Sequence, residues 1–367
     1  MTEVLREIPQ ALWGETPGNV FRTDLTTKRF EELNRLKKRA VAMGSVCLIS
    51  YGAQISSKKK GAFGRDQFLS KDPARMAKPK RFYEGSDMRP FGMTWDGTYV
   101  DMGHSEEMYG PRTPQFFAAP KLSIRHISGD SDTFVTWVDE DGYYTDHGVI
   151  HAVPYCALSQ DAPYDITDEQ RDRAALYPLF YLLGIIMSRP ARELYAELYA
   201  TGSLQGAFSH VYPNMVKGLP IPKLKKAPED APEGWVQQLE ELGARGKISR
   251  TAIKRVFRKR SEMSSGLTAA ARERQRLEGE RQKRELDFAT FMQIHSPGWS
   301  WKRGESLESP PPESEFLARI GKSMISLEAA GLVRSEFQSS VALAASSATK
   351  AGLLQRAIDG LAAALYT

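Results

Sequence analysis

The chain contains 367 residues, with 50 Lys and Arg against 45 Asp and Glu and a net charge of +5, and this length suffices for two or three packed regions. Apolar residues make up 41% and aromatic residues 10% of the sequence, which excludes a wholly disordered protein because such a chain can bury a sizeable core. Cys47 and Cys156 belong to no CxxC or Cys/His cluster, so they support neither a disulfide framework nor a zinc site, and we expect both to be small buried side chains.

The first part of the chain is predicted to contain one helix followed by a region rich in strands. Thr26 or Thr27 is a suitable N-cap for the helix. The apolar run 46–50 predicts a strand that ends at a Tyr-Gly turn. Lys121–Arg125 alternates in polarity, so its even-numbered residues are expected in the core and its odd-numbered residues on a face that can carry charge.

A hairpin is predicted between residues 133 and 144. Residues 133–138 are β-branched and aromatic, the sequence Asp-Glu-Asp-Gly at 139–142 is typical of a turn, and Tyr143 and Tyr144 begin the return strand. Residues 148–153 are a further strand candidate, which Pro154 ends.

Helices are expected to dominate after residue 165. Thr167 and Gln170 are spaced as a cap for a helix that runs to about Met187, and Pro178 implies a kink or a later start. The apolar run 179–187 is about half of the roughly 20 residues that a membrane-spanning helix needs. Since the N-terminus also lacks a secretory signal pattern, we expect a cytoplasmic protein without a membrane partner.

The last third of the chain is predicted to be helical. Residues 235–291 have a helical pattern, interrupted by Ser-Ser-Gly at 264–266, and 267–286 are almost wholly polar, as in an arm that bridges domains or lies on a partner. We therefore predict an α/β (α+β) fold in four parts: an N-terminal helical and loop segment, 1–43; a mixed, β-rich domain, 44–223; a linker rich in Pro and charge, 224–234; and a helical arm or partner-docking region, 235–367.

The positive charge of the chain is concentrated in two blocks. Residues 58–81 carry a net charge of +7 and residues 245–284 carry +10, so the remainder of the chain is acidic. Two basic concentrations on an acidic body are typical of a protein that presents a surface to phosphates. For the second block, a solvated helix without a nucleic-acid partner is the alternative.

No local motif supports catalysis. The chain has neither a GxxxxGK[ST] phosphate loop nor a GxSxG nucleophile elbow. His147 and His151 lie four residues apart in a strand-like stretch, roughly 13 Å from each other, which is too far to share a metal ion. The acidic residues at 139–141 precede Gly142 and are better explained as a turn.

The segment 51–65 has the features of a loop that approaches a phosphate backbone closely. It follows a strand, is rich in glycine, and carries three adjacent lysines and an arginine. The candidate DNA-binding residues of this segment are Gln54, Ser57, Lys58, Lys59, Lys60 and Arg65. A surface loop whose lysines serve solubility is the alternative. Downstream, 78–83 and 87–89 place further cations beside aromatic residues.

Four segments, taken in order, resemble the target-recognition domain of N6-adenine DNA methyltransferases and of restriction-modification specificity subunits. The first is Leu-Ile-Ser-Tyr-Gly-Ala-Gln-Ile-Ser at 48–56, and the second is Phe-Tyr-Glu-Gly-Ser-Asp-Met-Arg-Pro-Phe at 82–91. The third is the strand region 119–127. The fourth is Tyr-Leu-Leu-Gly-Ile-Ile-Met-Ser at 181–188 with the closing Gly-Leu-Pro-Ile-Pro at 218–222. The resemblance covers about residues 44–223.

The chain departs from these methyltransferases where they perform chemistry. It lacks the [N/D/S]PP[Y/F/W] tetrapeptide that holds the target adenine and the glycine-rich S-adenosylmethionine loop; the Ser-Pro-Gly-Trp at 296–299 has only one proline. The resemblance therefore implies a recognition component without a methyl-transfer site. S-adenosylmethionine is expected on a partner chain or a missing domain, and no cofactor is expected on this chain.

The resulting hypothesis is sequence-specific recognition of double-stranded DNA for a methylation, restriction-modification or phage-defence system, together with a DNA methyltransferase catalytic subunit or domain. Lys58 to Lys60 and Arg65 are assigned to phosphates. Arg81, Arg89 and Arg125 are candidate groove readers, because arginine can contact guanine through two hydrogen bonds; Lys254 and Arg258 represent the second basic block. The alternatives are a stand-alone structural or regulatory DNA-binding protein, and a metal-dependent nuclease.

Overall fold

The computed structural model describes residues 26–56, 64–127, 134–199, 210–244, 253, 256–320 and 327–367. The expected mixed α/β class is confirmed: small sheets occupy the first half of the chain and helices the second. The strands are β1 (Ala40–Ala42), β2 (Cys47–Tyr51), β3 (Leu69–Ser70), β4 (Pro79–Tyr83), β5 (Met88–Arg89), β6 (Gly92–Met93), β7 (Tyr99–Asp101), β8 (Lys121–Arg125), β9 (Thr136–Asp139), β10 (Tyr144–Thr145), β11 (Val149–Pro154) and β12 (Pro220–Pro222).

The α-helices frame these strands and then continue to the end of the chain. They are α1 (Thr27–Lys38), α2 (Arg65–Phe68), α3 (Pro114–Ala118), α4 (Asp168–Ala175), α5 (Leu179–Ile186), α6 (Arg189–Tyr199), α7 (Pro213–Gly218), α8 (Trp235–Ala244), α9 (Arg260–His295), α10 (Glu313–Ile320) and α11 (Leu327–Tyr366). Two expected starts are confirmed: Thr26 caps α1 by accepting the amide of Arg29, and Pro178 produces a later start, as the N-cap of α5.

Two four-stranded sheets, with two smaller two-stranded sheets, form the β-rich part of the described structure. The central sheet has the order β2-β11-β8-β9 and is antiparallel throughout. The second sheet has the order β10-β4-β7-β3. β11 is buried along its whole length, which explains its apolar sequence. The register places Ile150 opposite Tyr51 on one side and Ile124 on the other.

The predicted hairpin across 139–142 is wrong, although the turn forms. β9 pairs with β8, whereas β10 runs parallel to β4 in the second sheet. The Asp139 carboxylate accepts the backbone amides of Asp141, Gly142 and Tyr143, and Gly142 adopts a φ of +71° that favours glycine. The turn therefore directs the chain from one sheet to the other.

The expectation that one face of β8 carries exposed charge is also wrong. Lys121 and Ser123 are fully buried. Lys121 Nζ lies 2.7 Å from a carboxylate oxygen of Asp139, which is equally buried, and it donates to the carbonyl of Phe117 at 2.6 Å. Burial lowers the pKa of Lys121 and raises that of Asp139. Both faces of the central sheet are thus covered. A buried lysine needs an acidic partner such as Asp139 to offset the loss of hydration.

The helix α9 is continuous through the predicted interruption at 264–266. Ser264, Ser265 and Gly266 are helical and buried. A Cβ at Gly266 would lie 2.5 Å from the ring of Phe257, and a Cβ at Gly184 in α5 would lie 2.8 Å from Leu267. Small residues here allow close helix packing, so tertiary contacts outweigh their weak helix propensity.

One hydrophobic core joins the sheet region to the C-terminal helices. It contains residues of β2, β8 and β11 on one side and of α5, α9 and α11 on the other, for example Ile150, Leu182, Leu267 and Ile358. In addition, the Gln275 side chain accepts the amide of Val138 and donates to its carbonyl, both at 2.8 Å. The polar helix predicted to be an arm therefore packs partly on its own chain.

Two smaller expectations have different outcomes. Cys47 is buried as predicted, but Cys156 is exposed, because it lies in a short turn after β11. Within the described ranges, no helix is both long and apolar enough to span a membrane.

Candidate nucleic-acid interface

The turn formed by residues 84–87, between β4 and β5, is held rigid by its own hydrogen bonds. The amide of Glu84 donates to the Asp87 carboxylate at 2.8 Å, and the amide of Asp87 donates to the carbonyl of Glu84 at 3.0 Å. Burial raises the pKa of Asp87. A Cβ at Gly85 would lie 2.9 Å from the carbonyl oxygen of Gly148, so close approach of the two backbones requires glycine.

Three of the predicted arginines meet at this turn, two of them, Arg65 and Arg125, from distant parts of the sequence. Arg65, at the start of α2, forms an ion pair with Glu84 and lies 3.5 Å from Asp146. Arg89 donates to the carbonyl of Ser86 at 2.9 Å. Arg125, at the end of β8, has its Cγ 3.5 Å from the position that a Gly85 Cβ would take. The structure thus joins residues that the sequence could only name separately.

The three arginines differ in how far they are neutralised. Arg65 is paired with two carboxylates and is 35% exposed. Arg89 is exposed and uses one nitrogen for backbone carbonyls, which leaves further donors of its guanidinium free for a ligand. Considering the described residues alone, the Arg125 guanidinium has neither a hydrogen bond nor an ion pair. Of the three, Arg125 and Arg89 therefore have the most guanidinium donors free to bind an anion or a guanine base.

Arg81 occupies a different position from these three. Its guanidinium stacks over the ring of Tyr143 at 4.3 Å and donates to the Tyr143 hydroxyl at 3.2 Å and to the carbonyl of Asp141 at 2.9 Å. It therefore lies at the 139–142 turn, where its hydrogen bonds and ring contact fix its direction.

A group of aromatic rings begins at His126, the residue that follows Arg125 in the sequence. We call Tyr51, His126, His210 and Tyr212 the imidazole–tyrosine cluster. The His126 ring is 5.2 Å from the Tyr51 ring, 5.1 Å from the His210 ring and 5.4 Å from the Tyr212 ring. His126 Nδ1 lies 2.6 Å from the Val211 carbonyl, and since a carbonyl can only accept, Nδ1 carries the proton.

The imidazole–tyrosine cluster is accessible from solvent. Tyr212 is 41% exposed, and it stacks on the exposed His210 with ring planes 20° apart. The Tyr51 carbonyl accepts Arg112 Nε at 3.1 Å, which holds another cation at the same sheet edge. On one surface, exposed rings can stack on bases while neighbouring guanidinium groups neutralise phosphates.

The remaining candidate residues are spread more widely. Gln54 is held by backbone pairing with Gly110. Arg258 is exposed and precedes α9, which at 1.5 Å per residue puts it more than about 20 Å along that helix from Gln275 and β9. Ser57, Lys58, Lys59, Lys60 and Lys254 lie outside the described residues, so their assignments remain predictions.

The histidine pair considered for a metal site has a structural explanation. His151 is fully buried, with its ring nitrogens 3.1 Å from Ser123 Oγ and 2.7 Å from Thr145 Oγ1. Burial lowers the pKa of His151 well below its usual range. His147 is exposed. In the part of the chain that the structure describes, no three His, Cys, Asp or Glu side chains are grouped as metal ligands.

Comparisons with known proteins give no relative to guide the assignment: no family model matches the chain, and no curated protein matches it. Any function must be argued from the site itself. Sequence reasoning identified the arginines but missed His126, His210 and Tyr212. Their signal was weak: a histidine directly after Arg125, and a His-Val-Tyr triplet 84 residues further along.

Proposed function

We propose that this protein is a DNA-sequence recognition component, acting for a methylation, restriction-modification or related phage-defence system whose methyl-transfer site lies on another chain or domain. The observation that carries the proposal is the convergence of Arg65, Arg89 and Arg125 on the 84–87 turn. An exposed cluster of rings begins one residue after Arg125, at His126. Phosphate contacts fix register on a duplex, and base-edge contacts select the sequence. This surface supplies groups for both.

The roles of the three arginines follow from their partners. Arg125 has its backbone held at the end of a strand of the central sheet and its guanidinium unpaired, so it suits bidentate contact with guanine. Arg65 is already paired with carboxylates. It can bind a phosphate by exchanging those carboxylates for the phosphate oxygens. The lysines at 58–60 follow β2 in sequence, and β2 ends at Tyr51 of the imidazole–tyrosine cluster. They extend the proposed phosphate contacts.

Selection from a random pool of duplexes tests this proposal directly. The full chain is incubated with the pool at about 0.15 M salt, where non-specific binding is weak, and the bound duplexes are sequenced. Enrichment of a defined site of several base pairs supports sequence recognition. Binding without any enriched sequence, or no binding at all, contradicts it.

The proposed partner requires a separate test. The selected duplex is offered to cell extracts with S-adenosylmethionine, and adenine methylation is followed with and without depletion of this chain. We expect methylation at the selected site to disappear on depletion and to return when the purified chain is added back. Methylation that is indifferent to the chain would favour a stand-alone regulatory DNA-binding protein.

A further inference from the structure

A second feature of the molecule is a cleft of about 710 Å³ between α9 and the sheets. Its sheet-side wall is aromatic, lined by Phe91, Trp95, Trp137 and Tyr143. The Trp137 and Tyr143 rings meet at 64° and the Trp95 and Tyr143 rings at 68°, so the rings support one another edge to face. This volume lies within the roughly 300–1,000 Å³ of typical small-molecule sites.

The opposite wall is one face of α9. Arg272, Gln275, Arg276, Gly279 and Gln282 line the cleft, and their spacing of three and four residues places them on the same side of a helix. The bond pair between the Gln275 side chain and Val138 fixes the separation of the two walls. A Cβ at Gly279 would meet no atom within 4 Å. The helix therefore has a glycine where a larger side chain would fill the cleft.

The cations of this wall are not equivalent. Arg276 is neutralised by Glu273 and Glu280. Arg272 is exposed, stacks over Phe180 at 4.9 Å, and has no carboxylate partner among the residues that the structure describes. Its free guanidinium places an unpaired positive charge in the lining of the cleft. The lining also contains the acidic residues Glu140 and Asp141, and the Asp141 carboxylate lies 3.8 Å from Arg81.

We propose that this cleft binds a nucleobase, with the attached phosphate at Arg272. The aromatic wall favours a flat heteroaromatic ring, and base stacking on aromatic side chains is sequence-tolerant. An unpaired arginine at the rim favours an anionic substituent. The ring has two possible sources, a free nucleotide or a base turned out of a duplex. Only the second source rests on the proposed DNA recognition.

Variants of two helical glycines separate blocking of the cleft from general effects on folding. Gly279→Leu places a side chain in the cleft, whereas Gly331→Leu places one at an exposed position of α11, where a Cβ also meets no atom within 4 Å. Both changes replace glycine by a good helix former, so both variants should fold. Arg272→Gln removes the charge and leaves the aromatic wall intact.

The first arm of the experiment titrates the four nucleoside 5′-monophosphates into the full chain by calorimetry. We expect binding by the wild type and by Gly331→Leu, and a loss of at least about tenfold in Gly279→Leu, since the leucine side chain occupies the space in which the base would stack. Arg272→Gln should weaken binding of the monophosphate but leave that of the uncharged nucleoside unchanged.

The second arm uses the selected duplex with 2-aminopurine in place of single bases. A change in fluorescence that is lost in Gly279→Leu but kept in Gly331→Leu assigns the base to DNA, even if free nucleotides do not bind. Two outcomes overturn the cleft proposal but leave the proposed DNA recognition standing. One is DNA binding with no signal in either arm, and the other is signals that Gly279→Leu leaves intact. Absence of DNA binding overturns DNA recognition, and the nucleotide arm then decides the cleft alone.

Discussion

Arg125 has a backbone that is held in place by the sheet and a charged side chain that has no partner among the described residues. It ends β8, where pairing with Val149 holds its backbone, and its guanidinium has no acidic partner in the described part of the chain. Such a side chain meets a ligand without first losing an ion pair or a hydrogen bond. Arg65, by contrast, must exchange Glu84 and Asp146.

Replacing Arg125 by Ala should therefore relax sequence selection. We expect the selected site to lose preference at one or two positions, worth about 1–3 kcal/mol per lost bidentate contact. The measurement compares affinity for the selected duplex and its single-base variants. Arg303→Ala, which changes an exposed arginine in the loop between α9 and α10, is the control. Uniform weakening across all duplexes would instead assign Arg125 to phosphates.

The buried imidazole of His151 makes a prediction about pH. Its folded pKa is held well below the ordinary value of 6.5 by burial, so between these two values the unfolded chain binds a proton that the folded chain does not. The free energy of unfolding must then fall as the pH is lowered below about 6.5, by at most about 1.4 kcal/mol per pH unit from this group. Above that pH its contribution is complete.

Urea unfolding between pH 7.5 and pH 5 measures this effect. His151→Gln should reduce the slope of stability against pH in that window. Thr145→Val removes the hydroxyl at Nε2 but keeps the imidazole, so it should lower stability and retain the slope. Equal slopes for the wild type and His151→Gln would refute the assignment.

At the scale of elements, α9 shows how tertiary packing decides whether replacing a glycine by alanine stabilises the protein. Gly266 and Gly279 lie in the same helix. A Cβ would lie 2.5 Å from Phe257 at the first position and would meet open space at the second. Helix propensity favours alanine by about 1 kcal/mol at both positions, whereas overpacking costs about 1–3 kcal/mol at the first alone.

We therefore expect Gly279→Ala to raise the free energy of unfolding by up to about 1 kcal/mol. Gly266→Ala should fail to gain this stability and should fall below the wild type as the Phe257 contact becomes strained. Denaturant unfolding of the two variants provides the comparison, and each serves as the other's control. Equal stabilisation of both would show that α9 does not pack closely at Gly266.

The elements also show what sequence reasoning can and cannot reach. The cap of α1 at Thr26, the later start of α5 after Pro178 and the strands β2, β8 and β11 follow from local chemistry and periodicity. The pairing of β10 could not be predicted in this way. Short-range turn signals predict a hairpin, whereas Tyr144 is buried beside Phe82, which lies in a strand 62 residues earlier. The same limit hid the contact between His126 and His210, 84 residues apart.

At the scale of the whole molecule, charge and packing have opposite implications for the C-terminal helices. The second basic block suggested a surface for DNA, yet several of its arginines are already paired: Arg276 with Glu273, and Arg281 with Glu278. Their partners lie within one helical turn, so the net charge of the sequence overstates the free charge of α9. Arg89 and Arg125 beside the 84–87 turn, together with the lysines at 58–60, are therefore the cations that we propose to contact a duplex.

The salt dependence of duplex binding tests the central claim most directly. Lys58, Lys59 and Lys60 are replaced together by Ala, and the control replaces Lys28, Lys217 and Lys302, three exposed lysines elsewhere. Each lost phosphate contact reduces the slope of log affinity against log salt by about 0.9. We predict a shallower slope and weaker binding for the first variant, with the control close to wild type. An unchanged slope, or an equal change in both variants, would contradict DNA binding through these three lysines.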